Sequence, residues 1–167
     1  MNRHLLALAL GALPACRTAG HDFELAASAR QLPDAGAGFG LALEQRVGSA
    51  GGLPLAFELG FEQVPLDEDG PLGDDWRRVF AGVVLRAADA GPRAALGITW
   101  VRTDTAVQGL DPFGDYGGGY LALGHSFALA RGVLTGPELV GAWLDSEGDR
   151  GGSGTFVEFA WRLAFCF

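Results

Sequence analysis

From Thr155 to Phe167 the chain reads TFVEFAWRLAFCF, and after Thr155 every second residue is bulky and apolar: Val157, Phe159, Trp161, Leu163, Phe165 and Phe167. The intervening residues beyond Phe156 are Glu158, Ala160, Arg162, Ala164 and Cys166, all small or charged. A period of two is the mark of a strand with two unlike faces. Half-buried strands of soluble proteins usually sustain it for about five or six residues. Here it runs about twice as far, the length a tilted strand needs to cross the apolar layer of a bilayer.

The same alternation recurs upstream and predicts seven more strands. Asp22 to Arg30 sets Phe23, Leu25 and Ala27 on one side. Ala37 to Val47 sets Phe39, Leu41, Leu43 and Val47 against Gly38, Gly40, Ala42, Glu44 and Arg46. Leu53 to Gln63 sets Leu53, Leu55, Phe57, Leu59 and Phe61 against Ala56, Glu58, Gly60 and Glu62. Trp76 to Ala87 turns Val79, Ala81, Val83 and Leu85 outwards, leaving Arg78, Phe80, Gly82, Val84 and Arg86 inside. Pro92 to Arg102 sets Ala94, Leu96, Ile98 and Trp100 against Arg93, Ala95, Gly97 and Thr99. Gly118 to Leu129 sets Leu121, Leu123, Phe127 and Leu129 against Tyr120, Ala122, Gly124 and Ser126. Val133 to Leu144 is ambiguous in face and contains Pro137, unusual in a paired strand.

Between these segments the connections alternate, longer then short. The longer ones are 31–36, 64–75, 103–117 and 145–153, and the short ones are 48–52, 88–91 and 130–132. That is the loop asymmetry of outer-membrane barrels, with tight turns at one end and longer loops at the other. The fold class expected is all-β, an eight-stranded antiparallel up-and-down transmembrane β-barrel. Its longer loops carry most of the acidic residues. The final strand resembles the C-terminal strand of bacterial outer-membrane barrels, which has apolar alternation ending on a terminal Phe. The resemblance implies that Phe167 and its strand are recognised by the barrel-assembly machinery. At the level of architecture the chain resembles the small OmpA/OmpX-like barrels, which implies an anchoring, adhesive or stabilising role at the cell envelope of a Gram-negative bacterium.

Charge fits that picture. The chain of 167 residues has a formal net charge of −8, no Lys, and 12 Arg. The acidic balance and the lack of a basic run argue against nucleic acid. The scarcity of Ile and Asn, one each, reads as codon bias of a GC-rich genome. The inward-facing set is expected to hold Glu44, Glu58, Glu62, Glu138 and Glu158 with Arg46, Arg78, Arg86, Arg93 and Arg162. An eight-stranded barrel is just wide enough for side chains to fill it, so these charges are expected to interlock as ion pairs. Glu158 and Arg162 are expected to pair with neighbouring strands. Trp76, Trp100 and Trp143 fall near the outer strand ends and read as an interfacial girdle.

The first fifteen residues, MNRHLLALALGALPA, have a positive start and an apolar stretch too short to span, the form of a secretory signal. Leu13-Pro14-Ala15-Cys16 resembles the lipobox of bacterial lipoproteins, which implies lipidation of Cys16. An unlipidated Cys16 is the other reading. The expected organisation is a signal peptide over 1–15, a short link over 16–21 and a barrel over 22–167. Export permits a Cys16–Cys166 disulfide, but alternation places Cys166 towards the lumen as a small filler.

Candidate chemistry is sparse. His125, Ser126 and Glu138 resemble the catalytic set of the lipid A deacylase barrels, which implies an outward-facing acyl-transfer site. Here His and Ser are adjacent rather than two apart, so alternation sends them to opposite faces. Asp145, Glu147 and Asp149 are spaced like the start of a calcium loop, but Arg150 stands where that loop needs Gly and no terminal Glu follows. The Asp67-Glu68-Asp69-Gly70 run is no closer. No metal or other cofactor is expected, and the expected surroundings are outer-membrane lipids. Two alternatives remain: a periplasmic, lipid-anchored soluble barrel that binds an apolar ligand inside, and a lipid-modifying enzyme. The first requires Phe57, Leu59, Trp161 and Leu163 to point inwards.

Overall fold

The computed structural model describes residues 22–32, 36–65, 75–88, 90–103, 110, 114–146 and 153–167. The leader over 1–15, Cys16, the 16–21 link, Asp67, Glu68, Asp69, Gly70, Glu147, Asp149 and Arg150 lie outside the described residues. Eight strands, β1 (Phe23–Leu32), β2 (Gly36–Ala50), β3 (Leu53–Pro65), β4 (Asp75–Arg86), β5 (Gly91–Thr103), β6 (Gly114–Ala130), β7 (Val133–Ser146) and β8 (Ser153–Cys166), follow one another in order. Each pairs antiparallel with the next, and β8 pairs with β1, so the barrel is closed. Closure leaves no sheet edge. A strand of about 13 residues, at about 3.3 Å per residue and tilted by about 45°, covers roughly 30 Å of depth.

The strand pattern of the sequence is the burial pattern of the wall. Along β8 exposed and buried residues alternate from Thr155 to Phe165. Phe57, Leu59, Trp161 and Leu163 are 56%, 59%, 50% and 37% exposed, while Glu58, Glu62, Glu158 and Arg162 are buried. The barrel is therefore apolar outside and charged inside, the reverse of a soluble ligand-binding barrel.

Local details follow from the residues at each place. The β2–β3 turn is Gly51-Gly52, both at positive φ (59° and 83°), the geometry a two-residue hairpin asks for. The connections at that end are 51–52, 87–90 and 131–132, and those at the other end are 33–35, 66–74, 104–113 and 147–152. The first loop departs from the expected asymmetry. Gln31 and Leu32 continue the alternation of β1, with Leu32 fully buried, so only residues 33–35 lie between the strands. Pro137 does sit inside a strand, and the ladder records it. The β6–β7 register passes from Gly124–Glu138 to Phe127–Thr135 and skips the two positions between. A residue with no N–H cannot close its part of a ladder.

The lumen is filled in tiers. At the loop end Leu32, Val64, Trp76, Leu110, Leu144 and Phe156 form an apolar cap. Trp76 is fully buried and meets Phe156 edge-on at 4.8 Å, so it belongs to this cap and not to the outer girdle. It shares parity with Arg78, and that parity turns it inwards. Trp100 and Trp143 face outwards. Below the cap lie Phe80 and Tyr120, edge to face at 5.5 Å. Glycines on facing strands make their room. A Cβ on Gly60 would lie 2.2 Å from the Phe80 ring, and one on Gly82 would lie 2.3 Å from the Tyr120 hydroxyl. Gly60→Val is accordingly expected to cost about 1–3 kcal/mol by overpacking. Urea titration of the barrel folded in liposomes measures it, and an unchanged midpoint would contradict this packing.

Candidate functional site

The strongest concentration of chemistry is the lumen itself. Six Glu (24, 44, 58, 62, 138 and 158) and five Arg (30, 78, 86, 93 and 162) are buried there. They form two networks. In the one nearer the loops, Arg30 and Arg78 each reach both Glu62 and Glu158. Arg30 lies 2.6 Å from Glu158 and 2.7 Å from Glu62, and Arg78 lies 2.7 Å and 3.0 Å from the same two. Arg78 also donates to Thr99 Oγ1 at 2.9 Å, and its guanidinium lies 4.8 Å and 4.9 Å from the Phe80 and Tyr120 ring centres.

The second network lies towards the tight turns. Arg93 donates to Glu44 at 2.8 Å and also to Glu58 and Glu138. Arg86 bridges Glu24 (2.8 Å) and Glu44 (2.6 Å), and Arg162 bridges the same two at 2.8 Å and 2.5 Å. Tyr120 donates to Glu58 at 2.5 Å. The two networks approach through Arg30 and Glu138, 3.9 Å apart. Between them, a cavity lined by Arg30, Glu58, Phe80, Glu138 and Arg162 has a volume of only about 10 Å³, room for about one water.

These contacts amend the expected lumen set in two respects. Arg30 and Glu24 join the lumen set. Both have the parity of Ala26 and Ser28, and Arg30 stands next to the expected turn. Arg46 leaves the set: it is exposed, and with Glu24, Glu44 and Arg86 it lines a mouth of about 40 Å³ at the turn end. Its parity is inward, but the lumen opens to solvent at that level. As expected, Glu158 and Arg162 pair with the neighbouring β1, through Arg30 (2.6 Å) and Glu24 (2.8 Å), and each also reaches further round the barrel. Glu158 pairs with Arg78 on β4, and Arg162 with Glu44 on β2. In so narrow a barrel an Arg side chain spans the interior.

The remaining candidates do not assemble. His125 faces outwards and stacks on Phe127 at 4.5 Å, whereas Ser126 is buried on the opposite face. Glu138 is turned into the lumen against Arg93. The three therefore form no nucleophile–base relay, for the alternation reason already given. Asp145 is exposed at the loop end of β7, opposite Ser153. Among the described residues no group of three or more His, Cys, Asp or Glu is placed to hold a metal ion. Cys166 faces the turn-end mouth, its Sγ 3.9 Å from Glu24 Oε2.

The closed barrel has counterparts among solved structures. The crystal structure of Neisserial surface protein A superposes with a TM-score of 0.52 at 13% identity, over 87% of this chain and 94% of that one. The solid-state NMR structure of the outer membrane protein AlkL in DMPC lipid bilayers gives 0.47 at 11% identity, over 91% and 94%. The first likeness shows that this chain has the fold of small outer-membrane β-barrels. No protein-family model and no curated protein sequence matches the chain.

Proposed function

We propose that this protein is a bacterial outer-membrane β-barrel with a structural or surface-interaction role and no catalytic activity. The observation that carries the reading is the inverted wall: large apolar side chains face outwards on all eight strands, and buried Glu–Arg networks fill the inside. In water such a surface drives aggregation. In a bilayer it matches the solvent, and the closed ladder satisfies the backbone groups that hydrocarbon would leave without partners. The same facing argues against the soluble, apolar-ligand barrel. The dispersal of His125, Ser126 and Glu138 argues against the lipid-modifying enzyme.

Orientation follows from the connections. Both ends of the barrel domain, Phe23 and Phe167, lie at the end with the tight turns, which is the periplasmic end in this class of barrel. The longer, acidic loops are then the surface that meets other molecules. The Phe167 end is the segment offered to the assembly machinery, and Cys16 is the lipidation candidate. With the interior filled, the barrel is an anchor rather than a pore.

Fractionation tests the reading. The expressed chain is expected to stay with the membrane through an alkaline wash and to shift in gel mobility on heating. Release by the wash, with no heat-dependent shift, would contradict it.

A further inference from the structure

Glu62 on β3 and Glu158 on β8 are both fully buried, and their carboxyls meet within hydrogen-bond reach. Around them β1 supplies Arg30, β4 Arg78 and β5 Thr99, which holds Arg78. Tyr120 of β6 lies against Arg78, and Glu138 of β7 is 3.9 Å from Arg30. β2 brings no charge: a Cβ on its Gly40 would lie 3.0 Å from Glu62 Cγ. The guanidinium donors are shared unevenly. Arg30 Nη1 and Arg78 Nη1 both donate to Glu158 Oε1, at 2.6 Å and 2.7 Å, and Arg78 Nη1 also donates to Glu62 Oε2 at 3.0 Å. The two Nε donors are spent on Ser28 and Thr99. Arg30 Nη2 comes within 2.7 Å of Glu62 Oε1, but not in hydrogen-bonding alignment. Glu62 Oε1 and Glu158 Oε2 are thus buried with no hydrogen bond, and among the described residues no other carboxylate oxygen is so placed. A bare carboxylate oxygen in a closely filled lumen is costly, and two carboxylates in contact repel. One proton between them removes both penalties.

We infer that Glu62 and Glu158 form a proton-binding site that holds one proton at neutral pH, carried on Glu62 Oε1 and donated to Glu158 Oε2. The negative charge stays on Glu158, whose Oε1 takes both guanidinium donors. The proton then ties β3 to β8 through the interior, two strands that share no ladder. It also settles the count: among the described residues six buried Glu face five buried Arg, and one bound proton makes that set neutral. A bridging water would supply donors too, but it would leave both carboxylates charged and the count unbalanced. The inference goes beyond the membrane reading, because it depends on what fills the lumen and not on what surrounds the wall.

The test is infrared spectroscopy of the full-length chain, folded at neutral pH in a detergent that has no carbonyl group. Solvated Asp and Glu are ionised there, so a carboxylic-acid C=O band that shifts in D₂O reports a buried proton. The parent is expected to show one such acid per chain. Glu62→Gln should abolish the band, and so should Glu158→Gln, which leaves Glu62 to meet both arginines as an anion. Glu58→Gln, in the other network, should keep it. Glu62→Gln puts an amide N–H where the acid proton was, so its urea midpoint should stay close to the parent's. Glu62→Gln/Glu158→Gln takes both of these carboxylates from Arg30 and Arg78 and should lower the midpoint. Folding of each chain is read from the heat-dependent gel shift. A folded parent with no acid band, or a band that survives both single variants, would overturn the site. A Glu62→Gln chain that does not fold, or whose midpoint falls as far as the double variant's, would overturn it equally.

Discussion

Arg93→Ala is expected to destabilise the folded barrel by about 3–5 kcal/mol, the cost of removing one partner from a buried ion pair. Arg93 is 4% exposed and is the common donor to Glu44, Glu58 and Glu138, which come from β2, β3 and β7. Without it, three carboxylates remain in a lumen that already holds six Glu against five Arg. Arg86 and Arg162 still reach Glu44, but Glu58 keeps only the Tyr120 hydroxyl among its described partners. Adding Glu58→Gln to Arg93→Ala should therefore recover part of the loss. Arg46→Ala, exposed at the turn-end mouth, should cost much less. Urea titration in liposomes, followed by tryptophan fluorescence, reads all three. A loss below about 1 kcal/mol for Arg93→Ala would mean that water reaches the network and that its pairs are worth no more than surface ones.

Leu59→Arg is expected to cost about 2–4 kcal/mol, the penalty for a cation on the lipid face near the bilayer midplane. Leu59 is midway along β3, 59% exposed, and flanked across the ladder by Leu43 and Ala81. In water the substitution would cost almost nothing, because an exposed Arg is well solvated there and Leu59 makes little of the core. The variant thus separates two environments that look alike in the coordinates. Folding yield into liposomes and the urea midpoint should both fall, while Gln63→Arg, beside Arg77 at the loop-end rim, should fall by about 1 kcal/mol at most, since the penalty fades towards the interface. Equal, small effects at both positions would place the barrel wall in water.

The strands and their facings were legible in the sequence because the wall separates two solvents. Each outward position wants hydrocarbon and each inward one wants a polar or small side chain, so the pattern seen in Leu53 to Gln63 survives almost without exception. Legibility failed at the strand ends, where that separation weakens. Arg46 has inward parity but reaches water, and Trp76 lies near the interface but turns inwards onto Phe156. Arg30 was hidden by its nearness to the expected strand end, whereas β1 runs on to Leu32. Beyond the pairing of β8 with β1, the partners of the ion pairs were not legible. They depend on how the closed barrel is staggered, which brings Glu158 within reach of Arg78 halfway around the wall. Nor could spacing alone show that Gly60 and Gly82 make room for Phe80 and Tyr120. The apparent catalytic trio illustrates the opposite hazard: three suitable residue types close in sequence, which the pleat distributes between lipid face and lumen.

The central claim is that the outer wall lies in hydrocarbon and the lumen is sealed. Single-tryptophan versions of the chain, reconstituted in bilayers of brominated phospholipid, test it most directly. Trp161 is half exposed on the belt and Trp76 is fully buried in the cap. Strong quenching of Trp161 by the brominated chains, with Trp76 quenched neither by them nor by aqueous iodide, is the predicted result. Quenching of Trp161 by iodide and not by the lipid would contradict it.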